Sequence, residues 1–195
     1  RQLFLRTIMH ELKTPIGKGR IVSEMLEDDK AKNRLITIFE RLDILISEFA
    51  KIEQLVSQSY TPNFKNYNLI YVLDHATDLL MLENDTQSEH VKVDIVEELI
   101  LRADFELLAL AMKNLMDNAI KHSFDHVVRV RSDHGAIIFE NSGEKLPLGI
   151  EEYLKPFVSG NIKQGLGLGL YIVKNIVELH DFSLEDRYFE ETKIH

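Results

Sequence analysis

The sequence predicts two domains of different class, a helical hairpin followed by an α/β sandwich with helices on one face of a mixed sheet. Three observations support this prediction. Residues 1–60 show helical apolar spacing with few breakers, the later residues mix helical and two-residue periods, and the charge changes near residue 60. The first 60 residues are near charge balance, so residues 61–195 carry most of the net charge of −9. We therefore place the domains at 1–60 and 61–195.

The first domain is predicted to be a helical hairpin that pairs with a second copy. Apolar residues recur at spacings of three and four, the seam pattern of a coiled coil: Leu35, Ile38, Leu42, Leu45, Phe49, Ile52 and Val56. An earlier segment has the same spacing, and the polar residues 27–30 between them predict a turn. One hairpin buries too little surface, so we expect a homodimeric four-helix bundle through residues 1–60. Proline disrupts helix hydrogen bonding, so a kink is expected near Pro15.

The second domain mixes helical and strand patterns. Three helices are predicted from apolar spacing and capping residues: Asn68–Glu83, the segment from the N-cap Asp104 through Lys121, and Leu168–His180. Strands are predicted where apolar residues alternate: Val91–Val96 with Leu99–Ala103 as its partner, Val127–Arg131 with Ala136–Glu140 around a turn at His134-Gly135, and Phe182–Tyr188 with the tail. Residues 142–166 are expected to be irregular. Helices interleaved with antiparallel pairs predict the sandwich.

Composition excludes several classes of function. An acidic second domain lacks the basic footprint of non-specific nucleic-acid binding, so no nucleic-acid partner is expected. The absence of cysteine excludes disulfide scaffolds, thiolate zinc sites and thiol catalysis. The longest apolar run, Leu107–Met112, is far shorter than the ~20 residues of a membrane span, so we expect any membrane attachment to lie in segments outside this sequence.

His10 is the first candidate for chemistry. With Leu5 at heptad position a, His10 falls at position f, which points away from the seam, and Thr14 follows on the same stripe. An exposed imidazole is largely neutral at pH 7 and can act as a nucleophile, and Glu11 beside it could take its proton. The alternative is an ordinary solvated side chain, which is the more common case for any one of the eight histidines taken alone.

A polar helix face is the second candidate. Asn114 and Asn118 stand four residues apart, which places both carboxamides on one face of a helix, with Lys121 close by. Two amide oxygens and an ammonium suit a magnesium–phosphate group, because Mg²⁺ takes oxygen ligands and retains several waters. The alternative is an ordinary polar face, although asparagine is a poor helix former.

Glycine clusters directly before a predicted helix. Three of the nine glycines fall within five residues, at Gly165, Gly167 and Gly169. Glycine permits close approach of backbone to a phosphate, and a helix N-terminus offers N–H groups and a positive dipole end. The run fits neither the dinucleotide-binding pattern, which needs a glycine at Leu170, nor a Walker loop, which needs lysine at Leu166. A tight packing turn is the alternative. A further turn, beginning at Asn141, follows a predicted strand.

Taken in order, these segments resemble the catalytic core of sensor histidine kinases of two-component systems. Four motifs carry the resemblance: an H box at His10-Glu11-Leu12-Lys13-Thr14-Pro15, an N box from Asn114 to Lys121, an F box at Phe157, and a G2 box from Gly165 to Gly169. The resemblance covers essentially the whole chain. It implies a Bergerat ATP-binding fold in the second domain, shared with type II topoisomerases and Hsp90-like ATPases.

The resemblance also implies roles for individual residues. His10 would be the phosphoacceptor, with Glu11 and Thr14 assisting, and Thr14 would orient water in a reverse phosphatase reaction. Asn114 and Asn118 would hold Mg²⁺. The remaining ATP-binding residues would be Lys121, His122, Asn141, Gly143, Phe157, Gly165, Gly167, Gly169 and Leu170.

The same resemblance implies partners and a location. A response regulator receiver domain would dock on the bundle and accept the phosphoryl group on an aspartate. The chain would be the cytoplasmic portion of an inner-membrane receptor.

The G1 box departs from the family pattern. An aspartate there usually accepts a hydrogen bond from the adenine amino group, and Asn141 stands in its place, while Lys145 replaces a glycine. Asparagine still accepts through its carbonyl oxygen but without charge assistance, for which a loss of about 1 kcal/mol in nucleotide affinity is expected. His122 stands where the family often has an aromatic residue.

Two functions follow from these observations. The first is an ATP-dependent protein-histidine kinase that phosphorylates His10. The alternative is a signalling scaffold or phosphatase with a decayed nucleotide site, which the altered G1 box would explain. The N-box residues and the three glycines favour the kinase. A free-standing ATPase would leave His10 without a role.

Overall fold

The computed structural model describes residues 2–56, 60–80, 89–95, 98–156, 158 and 167–195. The chain divides into two compact units, residues 1–61 and residues 62–195. Each unit has its own packing and is described separately. No helix among the described residues is long and apolar enough to cross a lipid bilayer.

The first unit is the predicted helical hairpin. Helix α1 spans Gln2–Glu24 and helix α2 spans Asp29–Val56. The Asp28 carboxylate begins α2 by accepting hydrogen bonds from the N–H groups of Lys30 at 2.9 Å and Ala31 at 3.2 Å. The predicted polar turn is therefore confirmed as an N-cap.

The two helices approach closely where α1 carries a glycine. A Cβ atom on Gly19 would lie 2.3 Å from the Phe39 ring of α2, so a larger residue would displace that ring. Ser23 donates its hydroxyl to the Gly19 carbonyl at 2.8 Å, one turn along α1. Helix α1 runs through Pro15 without a break in its assignment, and a kink there stays a prediction.

The second unit begins with a strand that the sequence analysis missed. Strand β1 spans Phe64–Asn68, and helix α3 follows at once over Leu69–Asp78. Asn68 caps α3 through its side-chain oxygen, which accepts the Ile70 N–H at 3.0 Å. The predicted helix is thus present but ends before Glu83, and residues 81–83 lie outside the described part of the chain.

The next elements follow the predicted order. Strand β2 spans Val91–Asp94, β3 spans Ile100–Asp104 and helix α4 spans Phe105–His122. The predicted N-cap of α4 is confirmed, because the Asp104 carboxylate accepts the Leu107 N–H at 3.1 Å. The predicted β-hairpin of Val127–Arg131 with Ala136–Glu140 is also confirmed.

That hairpin and two further helices complete the unit. Strands β4, Val128–Asp133, and β5, Ala136–Glu140, pair antiparallel around His134 and Gly135, both with positive φ, as a two-residue hairpin turn requires. Helix α6 spans Gly169–Leu179, as predicted. A single helical turn, α5 over Ile150–Tyr153, interrupts the segment that was expected to be irregular.

Strand pairing differs from the prediction in one place. Strand β2 pairs in parallel with β4, whereas β3 pairs antiparallel with β1, so the expected pairing of Val91–Val96 with Leu99–Ala103 is wrong. The mixed sheet is β2-β4-β5, and β1-β3 forms a second sheet of two strands. Period-two alternation identifies a strand and its buried face but carries no information about its neighbour.

The strands predicted in the tail are also wrong. Residues 182–188 form no strand, and the tail contributes only isolated bridges between Ser142 and Ile194 and between Phe189 and Ile194. The alternation of Phe182–Tyr188 describes an extended segment, but a strand also requires a neighbouring ladder of hydrogen bonds.

Helix α4 lies at the centre of the core. It packs against α3, α6 and strands of both sheets. Its core side chains are fully or almost fully buried, together with residues of α3 and β4: Leu107, Leu108, Met112, Met116, Val72, Leu69, Val128 and Val130. Along β4 the buried valines alternate with Arg129, which is exposed, so the sheet covers its core on one face only. This packing fixes α4 as the rigid element on which the candidate site is built.

Candidate functional site

The core helix α4 carries a buried amide nitrogen that has no hydrogen-bond partner among the described residues. Asn114 is 4% exposed, and its amide nitrogen Nδ2 makes no hydrogen bond within the described structure. Leaving a buried donor unpaired costs about 1–3 kcal/mol. Such a group in an otherwise well-packed core indicates that an acceptor outside the protein is meant to bind there.

The N-terminus of helix α6 lies directly against Asn114. A Cβ atom on Gly169, the first residue of α6, would be 3.9 Å from Cγ of Asn114. No side chain caps this helix, because its N-cap residue is Leu168. Uncapped N–H groups and the positive end of the helix dipole favour an anion at this position. Asn114 of the N box and Gly169, the last residue of the G2 box, are far apart in the chain but lie side by side in the structure.

Gly167 shapes the approach to this helix. Its φ of +65° is in the left-handed region, and a Cβ atom there would lie 2.3 Å from the carbonyl oxygen of Val158. Both facts require glycine. Leu170, in the first turn of α6, is half-buried. The predicted site residues Phe157 and Gly165 lie outside the described residues.

Asn118 and Lys121 continue the polar face of α4. Asn118 is half-buried one turn after Asn114. The Lys121 ammonium pairs with the Asp117 carboxylate at 2.6 Å, and both side chains are partly exposed. The sequence analysis expected Lys121 to be directed at a phosphate and missed its pairing with Asp117. An exposed i,i+4 pair contributes little stability, so the ammonium can exchange its partner for a ligand.

His122 ends α4. Partial burial is the main cause that lowers its pKa below the ordinary value of 6.5, the positive charge of Lys121 lowers it further, and the negative charge of Asp117 opposes them. The imidazole is therefore neutral at pH 7. A Cβ atom on Gly143 would lie 3.2 Å from the carbonyl oxygen of His122, so the segment Asn141–Gly143 runs directly past the end of α4.

Backbone hydrogen bonds to Lys193 and His195 hold the segment Asn141–Gly143 in place. Asn141 exchanges two backbone hydrogen bonds with His195, at 3.2 and 2.9 Å, and the Gly143 N–H donates to the Lys193 carbonyl at 2.8 Å. The His195 ring makes a contact at 2.7 Å between Nε2 and the Glu144 carbonyl. The sequence analysis assigned no role to His195. Its contact with Glu144 joins residues that are 51 positions apart, which no local sequence pattern predicts.

A second network holds the same segment from the other side. The Ser142 hydroxyl donates to the Asp125 carboxylate at 2.8 Å, and the Phe124 N–H donates to the Ser142 carbonyl at 3.1 Å. Slight burial raises the pKa of Asp125, but hydrogen bonds from Ser142, Val127 and Arg129 outweigh it and hold the pKa below its ordinary value. Asp125 was also missed, although its position before a strand is typical of a loop-stabilising aspartate.

The residues predicted to carry phosphotransfer lie in the first unit. His10 and Glu11 are in helix α1, where the description covers their backbone only. Thr14 is exposed on the same helix. Its spacing of four residues from His10 keeps both on one stripe of a continuous helix.

The donor atoms available in the second unit fit magnesium only together with a phosphate. Within the described residues, no group of three or more His, Asp or Glu side chains converges on a point that could hold a metal. The carboxamides of Asn114 and Asn118 offer one or two oxygens, which leaves most positions of an octahedral ion for phosphate and water. The unpaired Asn114 amide fits such a composite site, because it supplies a buried polar group where the phosphate would lie.

Comparisons with known proteins show which chains are similar to this one. Residues 103–194 match the family described as histidine kinase-, DNA gyrase B- and HSP90-like ATPase. Sensor histidine kinase ArsS of Helicobacter pylori is 41% identical over 192 residues, which cover 96% of this chain and 44% of ArsS. The chain thus spans about half the length of the curated relatives it matches.

Two solved structures share the fold. The histidine kinase AdeS of Acinetobacter baumannii aligns with a TM-score of 0.62 at 17% identity, covering 87% of this chain and 83% of that one. Full-length ShkA in complex with AMPPNP aligns with a TM-score of 0.69 at 19% identity, covering 91% of this chain and 41% of that one. The hairpin, the α/β unit that matches the ATPase family, and the similarity to ArsS along nearly the whole chain support one conclusion: this chain is similar to the catalytic core of sensor histidine kinases.

Proposed function

We propose that the second unit binds Mg-ATP and transfers its γ-phosphoryl group to His10 of the first unit. The observation that carries the proposal is the buried, unpaired Asn114 amide at the uncapped N-terminus of α6. A buried donor beside a positive helix end fits a phosphate oxygen.

Each residue of the site has a separate task. Asn114 and Asn118 would hold Mg²⁺ and the phosphate oxygens from the α4 side. The backbone N–H groups that follow Gly167 would bind phosphate from the α6 side, and Lys121 would leave Asp117 to add positive charge. When bound, Mg²⁺ neutralises charge on the transferring phosphoryl group. The protein contributes mainly position and electrostatics.

The transfer itself involves the imidazole of His10. A ring nitrogen of His10 would form a bond to the γ-phosphorus while the bond from that phosphorus to the β–γ bridging oxygen breaks, and ADP leaves. The imidazole loses its proton, for which Glu11 is the neighbouring base. Catalysis requires that the second unit reach His10, so we assign residues 1–60 to dimerisation and phosphotransfer and residues 61–195 to ATP binding.

The subsequent steps are proposed on the same basis. The phosphoryl group would pass from His10 to an aspartate of a response regulator receiver domain docked on the helical bundle. Thr14, one turn from His10, would orient water when the regulator is dephosphorylated. The chain would act as the cytoplasmic part of an inner-membrane receptor.

Incubation with γ-labelled Mg-ATP tests the central step. Wild type is expected to acquire label that is labile in acid and stable in base, and His10→Gln is expected to acquire none while binding ATP normally. His134→Gln is the matched control, because His134 is a solvated turn residue with a 95% exposed side chain.

Two outcomes would contradict the proposal. Label on His10→Gln would show that another residue accepts the phosphoryl group. Wild type that binds ATP but never acquires label would favour the scaffold or phosphatase alternative.

A further inference from the structure

We propose that the base subsite of this chain accepts 6-oxopurine nucleotides, such as those of hypoxanthine and guanine, as well as adenine nucleotides. The residue responsible is Asn141, whose carboxamide offers the base both a hydrogen-bond donor and an acceptor. The inference rests on the proposed nucleotide site and specifies its substrate class.

The length of helix α4 between Asn114 and His122 indicates where the base of a bound nucleotide would lie. The phosphate end of the site is at Asn114, where α6 begins. His122 ends the same helix eight residues later, which is about 12 Å along the axis at 1.5 Å per residue. A nucleotide laid along α4 from Asn114 therefore brings its base to the end of the helix. The segment Asn141–Gly143 passes there, with the Gly143 backbone against the His122 carbonyl.

The backbone of Asn141 is fixed, whereas its carboxamide is held weakly. Two backbone hydrogen bonds to His195 and one from Gly143 to Lys193 anchor the segment. Among the described residues, the carboxamide makes one hydrogen bond, from Nδ2 to the Ser142 carbonyl at 3.4 Å. Because that distance is at the weak limit of hydrogen bonding, a half-turn of the carboxamide loses little. The group can therefore present either its oxygen or its nitrogen at the same place.

The chemistry of the base then decides which side is presented. Adenine offers an amino donor at C6 and an acceptor at N1, while hypoxanthine and guanine offer an acceptor oxygen at C6 and a donor at N1. A carboxamide can pair with either arrangement after a half-turn, because it holds one donor and one acceptor group. An ionised aspartate has acceptors only, so it would face the C6 oxygen of a 6-oxopurine with no proton between them. Polar groups left unpaired in this way produce strong discrimination.

Calorimetric titration with ADP and with inosine diphosphate, each with Mg²⁺, tests the inference on the intact chain. Diphosphates avoid turnover, and hypoxanthine differs from adenine only at the C6 and N1 positions that matter here. Wild type is expected to bind the two within about fivefold of each other. Asn141→Asp is expected to change this ratio by about tenfold or more in favour of ADP, because an unpaired acceptor is penalised by roughly that factor. Asn66→Asp, at an exposed position of strand β1, adds the same charge outside the site and should leave the ratio unchanged.

The outcomes separate this inference from the proposed function. If wild type binds ADP and rejects inosine diphosphate by more than about thirtyfold, the inference is wrong while nucleotide binding stands. If neither nucleotide binds, the proposed function fails and the inference falls with it. The wild-type ratio needs no variant, so it decides the matter even if Asn141→Asp does not fold.

Discussion

At the scale of residues, the site is built from polar groups that make few or weak interactions with the rest of the protein. The Asn114 amide is buried without a partner, and Lys121 is held by an exposed ion pair. Natural proteins retain an unpaired buried donor or a weak, exposed ion pair where function requires it, since either group can take up a ligand at low cost. Stability and binding should therefore respond in opposite directions when Asn114 is changed.

Asn114→Leu tests this trade-off. Leucine has a similar size and removes the unpaired amide, so the empty protein should gain about 1 kcal/mol in free energy of unfolding. Nucleotide binding should fall by at least about tenfold, because a polar group at the phosphate end is lost. Urea unfolding and calorimetry measure the two quantities. A variant that is less stable and binds as before would show that Asn114 is structural.

His122 provides a prediction for pH. Its pKa is lowered in the folded chain, first by burial and then by Lys121, so the folded state binds this proton more weakly than the unfolded state. The free energy of unfolding is therefore expected to decrease as the pH falls below about 6.5, the ordinary histidine pKa, and through the lower pKa of His122 in the folded chain. Lys121→Met removes one lowering cause and leaves Asp117, which raises the pKa, so the His122 pKa should rise. Titration of the ring protons by NMR measures it, and a fall or no change would contradict the assigned cause.

At the scale of elements, a few side chains join segments that are distant in sequence. Asp104 ends β3 and caps α4, and its carboxylate also accepts the Asn63 N–H at 2.8 Å. Its backbone N–H donates to Nε2 of the buried His180, whose Nδ1 lies 2.7 Å from the Ile176 carbonyl at the end of α6. The imidazole is thus a neutral Nδ1–H tautomer that fastens α6 to the start of α4. This attachment helps hold the N-terminus of α6 against Asn114.

Gly167→Ala tests the approach to α6. The substitution combines a left-handed φ with a 2.3 Å clash against the Val158 carbonyl, so the segment before α6 must move. Nucleotide affinity should fall about tenfold or more, since the N–H groups of α6 lose their position. Gly135→Ala is the matched control, because Gly135 also has a positive φ, +81°, but open space around it. Equal loss of affinity in both variants would assign the effect to backbone strain alone.

At the scale of the whole molecule, the first unit leaves apolar surface uncovered. Large apolar side chains of both helices and of the turn between them are 39–79% exposed in one chain: Leu12, Ile21, Val22, Met25, Leu26, Ile38 and Leu42. Ile38 and Leu42 belong to the seam predicted from sequence spacing. The side chains of Leu45, Phe49, Ile52 and Val56 lie outside the described set. Exposed apolar surface of this kind is typical of an association site, and we predict that a second copy of the hairpin covers it.

Ile38→Asp combined with Leu42→Asp should therefore convert a homodimer into monomers. Burying unpaired charges in the bundle is costly, and a two-fold axis doubles the number of charges. Light scattering at tens of micromolar measures the mass, and ADP binding reports that the second unit stays folded. Ile70→Asp, at an exposed position in the first turn of α3, is the control and should remain dimeric. A monomeric wild type, or a double variant that stays dimeric, would contradict the bundle.

The sequence by itself determined most of the helices and strands, because these depend on local chemistry. The helical period of α2, the polar turn at residues 27–30, the N-cap Asp104 and the hairpin turn at His134-Gly135 each follow from residues within one or two turns of the chain. Only the tertiary structure decided which segments meet. Periodicity is the same whichever strand lies alongside, so the partner of β2 was mispredicted, and strand β1 was too short and polar to be noticed. The contact between Asn114 and α6 and the anchoring of Asn141 by His195 join residues that are distant in sequence, and their energies depend on burial that no local pattern reports.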